Sequence, residues 1–303
     1  MQTARPTISL VTPNFNLAAT LETTLRSVLD QHYPRLDYVV VDGGSTDGSV
    51  DIIRRHANRL SSWTSEPDGG LYDSLNKGFA RTTGEIMGWI NSDDMHLPWT
   101  LSVVAEIFET LPQVQWITSL HPLVLNEKGQ AAGCPYAGGF NRADFMRGGN
   151  LPRPDQFGRV WIQQESTFWR RSLWDAVGGR VDGGVVTGGD FELWSRFFQH
   201  ADLYGVGVPL AGFRHRANQN SAAMRDRYLA VAEAALQRQG GKRYGRWTQA
   251  WRKRAWNAFG RRPLARAWPG WLLQGLSAAG VLLPVPTIRH RRGGWRVEQD
   301  YIL

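Results

Sequence analysis

The run "GWINSDDMHLPW" at residues 88–99 ends an apolar segment abruptly on Asn91, Ser92, Asp93 and Asp94. Adjacent carboxylates repel, so a folded chain places two together where water, a cation or an array of donors neutralises them. Two readings stand for this stretch by itself: a turn whose aspartate caps the next helix, or a site that holds positive charge. Mg²⁺ or Mn²⁺ suits the second, because hard cations are often held by one or two carboxylates plus substrate phosphates.

Three further polar loops carry the same kind of residue: "TPNFN" at 12–16, Asp42 with "GGSTDGS" behind it, and "SEPDGG" at 65–70. What precedes each loop gives it meaning. "TISLVT", "DYVVVD", "SWTS" and "EIMGWI" read as strands, and Leu21, Leu25, Val28 and Leu29 fall on one helical face. Val50, Ile53 and Ala57 mark a second helix, Leu71, Leu75 and Phe79 a third, and Leu101, Val104, Ala105 and Phe108 a fourth before a strand at "VQWIT". The alternation predicts an α/β layered sheet, mostly parallel, and ligands of such sheets bind at the carboxyl ends of the strands. All four polar loops sit at those ends, so they converge on one edge.

Neither G-x-G-x-x-G nor G-x-x-x-x-G-K-[ST] follows the first strand, which argues against dinucleotide and P-loop chemistry. From 120 to about 225 the chain is less regular, with one convincing helix at "DFELWSRFFQ" and no linker to set off a second fold. At 303 residues the chain can bury a large core, and with Cys134 as its lone cysteine it has no internal disulfide and no multi-cysteine metal site. That usage and the absence of an apolar leader before the first strand lead to the expectation of a cytoplasmic protein.

The net charge of +8 hides an asymmetry, since residues 234–297 hold fourteen Lys or Arg and no acid, leaving the rest at minus six by subtraction. Six of the fourteen tryptophans lie in that stretch, among them Trp247, Trp251, Trp256, Trp268 and Trp271.

The stretches "TPNFNLAATLETTLRSVLDQ", "YVVVDGGSTDGSVDII", "SEPDGGLYDSLNKGFARTTGEIMGWINSDD" and "GGDFELWSRF" together resemble the family 2 nucleotide-sugar glycosyltransferases, inverting enzymes of GT-A fold, most of all the bacterial exopolysaccharide and colanic-acid type. The resemblance runs from about Thr7 to Ser221. It implies a GT-A domain over 1–225, with a nucleotide-binding half (1–120) and an acceptor half (121–225), and a basic, helical C-terminal extension over 226–303. It implies that Thr12, Pro13 and Asn16 line the nucleotide pocket, that Asp42 reads a uracil-like base, and that Asp68 and Lys77 lie beside ribose or phosphates. Asp93 and Asp94 match the DxD-type motif, with Asp94 ligating the metal; Asp190 matches the catalytic base, while Gln164 and Glu165 match the acceptor side. Aligned on Arg214 and Gln219, Arg216 occupies a position where the family carries histidine, which leaves His215 as a weaker metal candidate.

Each assignment has a plainer counterpart: Asp190 as a helix N-terminal charge, Glu165 as a partner of Arg170 or Arg171, Asp73 and Asn76 as solvated helix residues, and "GGSTDGS" as a turn. The expected reaction is single displacement with inversion, from a nucleotide-diphosphate sugar (UDP favoured) to a hydroxyl of a saccharide or lipid-linked acceptor in polysaccharide synthesis. The competing readings are a sugar-nucleotide nucleotidyltransferase, a glycosidase using paired carboxylates, and a basic membrane or nucleic-acid adaptor. In the tail, Trp247, Trp251, Ala255 and Phe259 repeat at helical spacing, with Arg246, Lys253 and Arg254 largely opposite. That pattern fits a helix docked on the domain, or one lying on an anionic inner-membrane surface; nucleic acid is not expected, because no recognition motif accompanies the charge.

Overall fold

The computed structural model describes residues 5–151, 161–216, 224–245, 247–248, 250–252, 254, 269–279 and 281–302. Ala255, Trp256, Phe259, Trp268, Arg246, Lys253, Gln219 and Ser221 lie outside the described residues.

The first half alternates as its periodicity predicts: β1 (Ile8–Asn14), α1 (Ala18–Leu29), β2 (Leu36–Asp42), α2 (Ser49–His56), β3 (Ser62–Ser65), α3 (Leu71–Phe79) and β4 (Ile86–Trp89). A short β5 (Met95–His96), α4 (Thr100–Thr110) and β6 (Trp116–Ser119) follow. Strands β4, β1, β2 and β3 pair in parallel. Both faces of this sheet are covered, so the strands are apolar at nearly every position. Leu10, Val40 and Ile86 pack with Leu21, Leu25 and Val28 of α1 on one face. Val11, Val39 and Met87 meet Leu75 and Phe79 of α3 on the other. In α3 the inward position of the first turn belongs to Tyr72, while Leu71 is exposed. A β-carbon at Gly78 would come within 2.4 Å of Val11, so glycine sets how closely α3 approaches β1.

The middle of the chain is more ordered than its sequence suggests. It contributes β7 (Leu123–Leu125), β8 (Ala131–Gly133), α5 (Arg142–Met146), β9 (Phe168–Arg170), α6 (Arg171–Ala176), α7 (Gly189–His200), β10 (Tyr204–Val206) and β11 (Ala211–Arg214). Three-residue β9 runs antiparallel between β4 and β6 in the middle of the large sheet. A strand that short carries too little periodicity to be read alone. Strands β5, β11, β7 and β8 form a smaller sheet beneath the site.

Beyond residue 225 the expected helical extension is only partly helical, and it does not stand apart. Helix α8 (Arg225–Arg238) buries Ala232, Ala235 and Leu236, and α9 (Gly270–Ala278) follows. The last segment is a hairpin, β12 (Leu283–Arg291) and β13 (Gly294–Ile302). Through Thr287 and Ile288, β12 pairs in parallel with β10, so the large sheet has the order β13-β12-β10-β6-β9-β4-β1-β2-β3. The physical reason is on the hairpin itself. Val285, Ile288, Trp295 and Ile302 are buried, and Arg289 and Arg291 bond Glu298 across the ladder at 2.9 and 2.6 Å. Gly293 and Gly294, both at positive φ, make the turn, so "RRGGW" was the available hairpin signal.

Candidate functional site

The loops after β1, β2 and β3 are tied to one another by their own side chains. The carboxylate of Asp42, closed off from solvent, accepts from Asn14 Nδ2 (2.6 Å), Ser45 Oγ (2.6 Å), Ser45 N (2.9 Å) and Ser65 Oγ (2.7 Å). Burial alone would raise its pKa; the hydrogen bonds from Ser45, Asn14 and Ser65 outweigh it and hold the group below the usual range. Asp47 accepts from the Ala18 N–H (2.8 Å) and the Ser49 N–H (3.1 Å), capping α1 and the start of α2. Asn16, left-handed at φ +51°, accepts from Thr46 N at 2.9 Å. Asp68 accepts from Gly70 N at 2.8 Å, and a β-carbon at Gly43 would lie 3.2 Å from its carboxylate, so this loop abuts the Asp42 loop.

Three residues assigned to the nucleotide site sit differently. Thr12 is buried with its hydroxyl sharing a 2.8 Å hydrogen bond with Tyr38, inside the packing of the sheet; Pro13 is buried beside it. Lys77 pairs with Asp73 at 3.0 Å along α3, an i,i+4 helix-surface pair. Asn14, at the last position of β1 and directed at Asp42, is the residue the sequence reading passed over.

The Asp93–Asp94 turn is anchored from α1, where Thr20 and Thr24 donate to the carbonyls of Ser92 (2.8 Å) and Asp94 (2.7 Å). The positive charge these aspartates call for is arginine. Arg216 bonds Asp93 Oδ2 through Nε (2.8 Å) and a terminal nitrogen (2.7 Å). Arg214 donates from Nε to the Asp93 carbonyl (2.7 Å) and from its backbone N–H to Asp94 Oδ1 (2.9 Å). Gln164 lies 3.4 Å from Asp94 Oδ2.

His215 takes a different position from the two arginines that flank it. Its side chain is exposed and its ring packs edge-on to Phe213 at 5.2 Å. Extended backbone alternates its side chains, so Arg214 and Arg216 face the aspartates and the residue between them faces away. That alternation was legible in "FRHR".

Burial raises the pKa of Asp94, and the charges of Asp93 and Glu165 add to it. Glu165, also buried, is pushed up to about 8 by burial, with Asp93 and Asp190 contributing. Asp93 and Asp190 thus both lie near one buried glutamate. The plainer role for Glu165 does not hold, because Arg170 and Arg171 turn to the carbonyls of Val114 and Gly84 instead. Among the described residues no three His, Cys, Asp or Glu side chains cluster as a complete metal cage. A divalent cation nevertheless fits: burial and the charges of Asp93 and Glu165 disfavour the ionised form of Asp94, a penalty that a cation would relieve, and Asp94 with Asp93 plus diphosphate oxygens makes a sufficient ligand set.

Asp190 opens α7. Gly188, left-handed at φ +80°, turns the chain into the helix, and a β-carbon at Gly189 would lie 2.8 Å from the Tyr72 ring. That closeness lets Tyr72 Oη accept the Gly189 N–H at 2.8 Å. Farther along α7, Trp194 stacks on Trp89 (5.6 Å, 12°) and Trp116 (5.6 Å, 30°), fixing the helix against β4 and β6. Each such pair contributes about 0.5–1.5 kcal/mol beyond its burial. Asp190 Oδ2 accepts from the Tyr228 hydroxyl at 3.1 Å, while Oδ1 is buried with no hydrogen-bond partner among the described residues. Burial raises this pKa too, against the opposing N–H of Phe191 and the hydroxyls of Tyr228 and Tyr72. Tyr228 lies on α8, beyond the expected domain boundary, and no local signal marked it.

Residues 9–146 match the family model described as glycosyl transferase family 2. An uncharacterized glycosyltransferase of Mycobacterium tuberculosis is 39% identical over 93 residues, 30% of this chain and 36% of that protein. The putative teichuronic acid biosynthesis glycosyltransferase TuaG of Bacillus subtilis is 33% identical over 93 residues, 30% of this chain and 37% of that protein. The chain thus spans little more than a third of the length of these relatives. Among solved structures, S. aureus TarS 1-349 with UDP-GlcNAc superposes with a TM-score of 0.57 at 15% identity, covering 76% of this chain and 72% of that one. The mannosyltransferase PcManGT of Pyrobaculum calidifontis, with GDP-Man and Mn²⁺, superposes with a TM-score of 0.57 at 21% identity, covering 92% and 77%. The mostly parallel sheet, its polar loops and these matches agree: residues 9–146 are similar to glycosyl transferase family 2, and the chain has the GT-A fold.

Proposed function

We propose that this protein is a metal-dependent inverting glycosyltransferase of bacterial polysaccharide synthesis, moving a sugar from a nucleotide-diphosphate donor to a hydroxyl of a saccharide or lipid-linked acceptor. One observation carries the reading: a buried Asp190, with one carboxylate oxygen that has no hydrogen-bond partner among the described residues, acts on the same buried Glu165 as Asp93 does. In a single displacement, the attacking hydroxyl loses its proton on one side of the sugar while diphosphate leaves on the other. Asp190 Oδ1 accepts that proton, and burial, which raises the pKa of the group, makes it a stronger base than an exposed carboxylate. Asp94 and Asp93 would hold Mn²⁺ or Mg²⁺, which would supply Lewis-acid stabilisation of the departing diphosphate. Arg216, already at Asp93, is placed to donate to the same phosphates. The linked Asn14, Asn16, Asp42 and Asp68 loops form the nucleotide floor, and Gln164 and Glu165 line the way to the acceptor.

Thermal unfolding against UDP, GDP, dTDP and CDP, with and without Mn²⁺, tests this reading. A manganese-dependent rise with one diphosphate, lost in Asp94→Asn, is expected. UDP is favoured on the resemblance, and GDP is included because PcManGT holds GDP-Man. A folded sample that responds to none of the four sinks the donor site.

A second part of the reading concerns location. Trp247 is 91% exposed and Trp271 74%, in a stretch with fourteen basic residues and no acid. No helix among the described residues is long and apolar enough to cross a membrane. Aromatic side chains above basic charge suit an anionic inner leaflet, where a lipid-linked acceptor would reside. Sedimentation with phosphatidylglycerol vesicles should carry the protein down, and Trp247→Ala with Trp271→Ala should release it. Equal recovery in the supernatant with and without vesicles counts against it.

A further inference from the structure

We propose that Tyr228 is the positioning residue of the catalytic carboxylate: helix α8, outside the matched family segment, pins one oxygen of Asp190 so that the other faces the acceptor hydroxyl. This rests on the reading of Asp190 as general base.

The carboxylate is asymmetric. Oδ2 receives the Tyr228 hydroxyl at 3.1 Å; Oδ1 is buried and has no partner among the described residues. A base needs that arrangement, with one oxygen fixing the plane of the group and the other open to a proton. The groups facing Asp190 are Tyr72 from α3, Tyr228 from α8 and Glu165 from the turn before β9. Glu165 supplies no donor when ionised; Tyr72 Oη accepts the Gly189 N–H and its hydroxyl also lowers the Asp190 pKa, by less than the Tyr228 hydroxyl does. Tyr228 is the side chain whose hydroxyl stands at hydrogen-bond distance from Oδ2, at 3.1 Å.

Tyr228 is itself held in place. Its ring stacks on Trp161 (5.8 Å, 23°), and Phe191, the next residue after the base, meets it edge-on (6.5 Å, 77°). Its backbone stands on the contact of α8 with α7, where a β-carbon at Gly188 would lie 3.2 Å from Val231. The ring would fill the same space as phenylalanine, so the hydroxyl is what distinguishes tyrosine here. A hydroxyl donated to a carboxylate favours the ionised form and keeps the acid from being drawn fully neutral by its surroundings.

The test uses the full chain with ¹³Cγ-labelled aspartate, Asp190→Asn assigning the resonance. In Tyr228→Phe the Asp190 titration midpoint is expected to rise by about one pH unit. The acidic limb of nucleotide-sugar turnover, followed as diphosphate release from UDP-glucose or GDP-mannose, should move upward with it at unchanged donor KM. An unchanged midpoint and pH profile in a folded Tyr228→Phe, with Asp190→Asn inactive, overturns the proposal while the base reading stands. Turnover retained in Asp190→Asn overturns the base reading and the proposal together.

Discussion

Arg216 grips Asp93 with two nitrogens, at 2.8 and 2.7 Å, at a sequence separation of 123 residues. The pair supplies in the metal-free protein the positive charge that the adjacent aspartates require. Asp93 is nearly buried and Arg216 about a quarter exposed, so the interaction is partly shielded from solvent.

Arg216→Ala should therefore destabilise the metal-free protein by about 1–2 kcal/mol, below the cost of breaking a fully buried pair. Mn²⁺ should recover more of the lost stability in the variant than it adds to the parent, because the cation then answers an unpaired carboxylate. Melting curves with and without Mn²⁺ check this, and equal manganese shifts in both proteins would contradict it.

Glu165 predicts an unusual pH dependence. Its pKa is raised from 4.5 to about 8 on folding, so the folded state binds the proton more tightly. The stabilisation is complete below pH 4.5 and is lost as pH rises through about 8. Metal-free stability should fall between pH 5 and pH 8, with Asp94 acting in the same direction, and Glu165→Gln should flatten the slope. Urea unfolding at four pH values suffices; a slope identical in parent and variant would assign the effect elsewhere.

Asp190→Asn should lower sugar transfer by about 10²–10⁴-fold, the usual contribution of a general base, with nucleotide-diphosphate binding intact. The amide cannot take the proton, while the Asp93–Asp94 turn is untouched. Calorimetric titration with the diphosphate, beside turnover, separates the two effects; loss of binding would mean that Asp190 acts through the fold.

Trp295→Ala should cost about 3 kcal/mol or more. The indole is 7% exposed, packs in the α1/α4 cluster and donates to Glu106 at 3.1 Å. A hairpin that merely decorated the domain would tolerate the change within a few tenths of a kcal/mol, which a denaturation midpoint would show. Truncation within the tail would for the same reason remove part of the sheet, so point substitutions are the way to test what the basic surface does.

The sequence alone determined the alternating strand–helix order, the four polar loops at one sheet edge, the Asp93–Asp94 pair and the acid opening "DFELW". Those features are local: periodicities of 2 and 3.6 and glycine-marked turns are written within a few residues of where they act. Tertiary structure decided what lies opposite each of them. Strand parity turned Arg216 inward and His215 outward, the Asn14 bond saturated Asp42, β9 entered between two strands already placed, and the tail returned to bring Tyr228 to Asp190 and a hairpin to β10. Asp190 and Tyr228 are 38 residues apart, and Thr20 and Ser92 are 72. Contacts at such separations follow from how the whole sheet packs, and short-range patterning does not encode them.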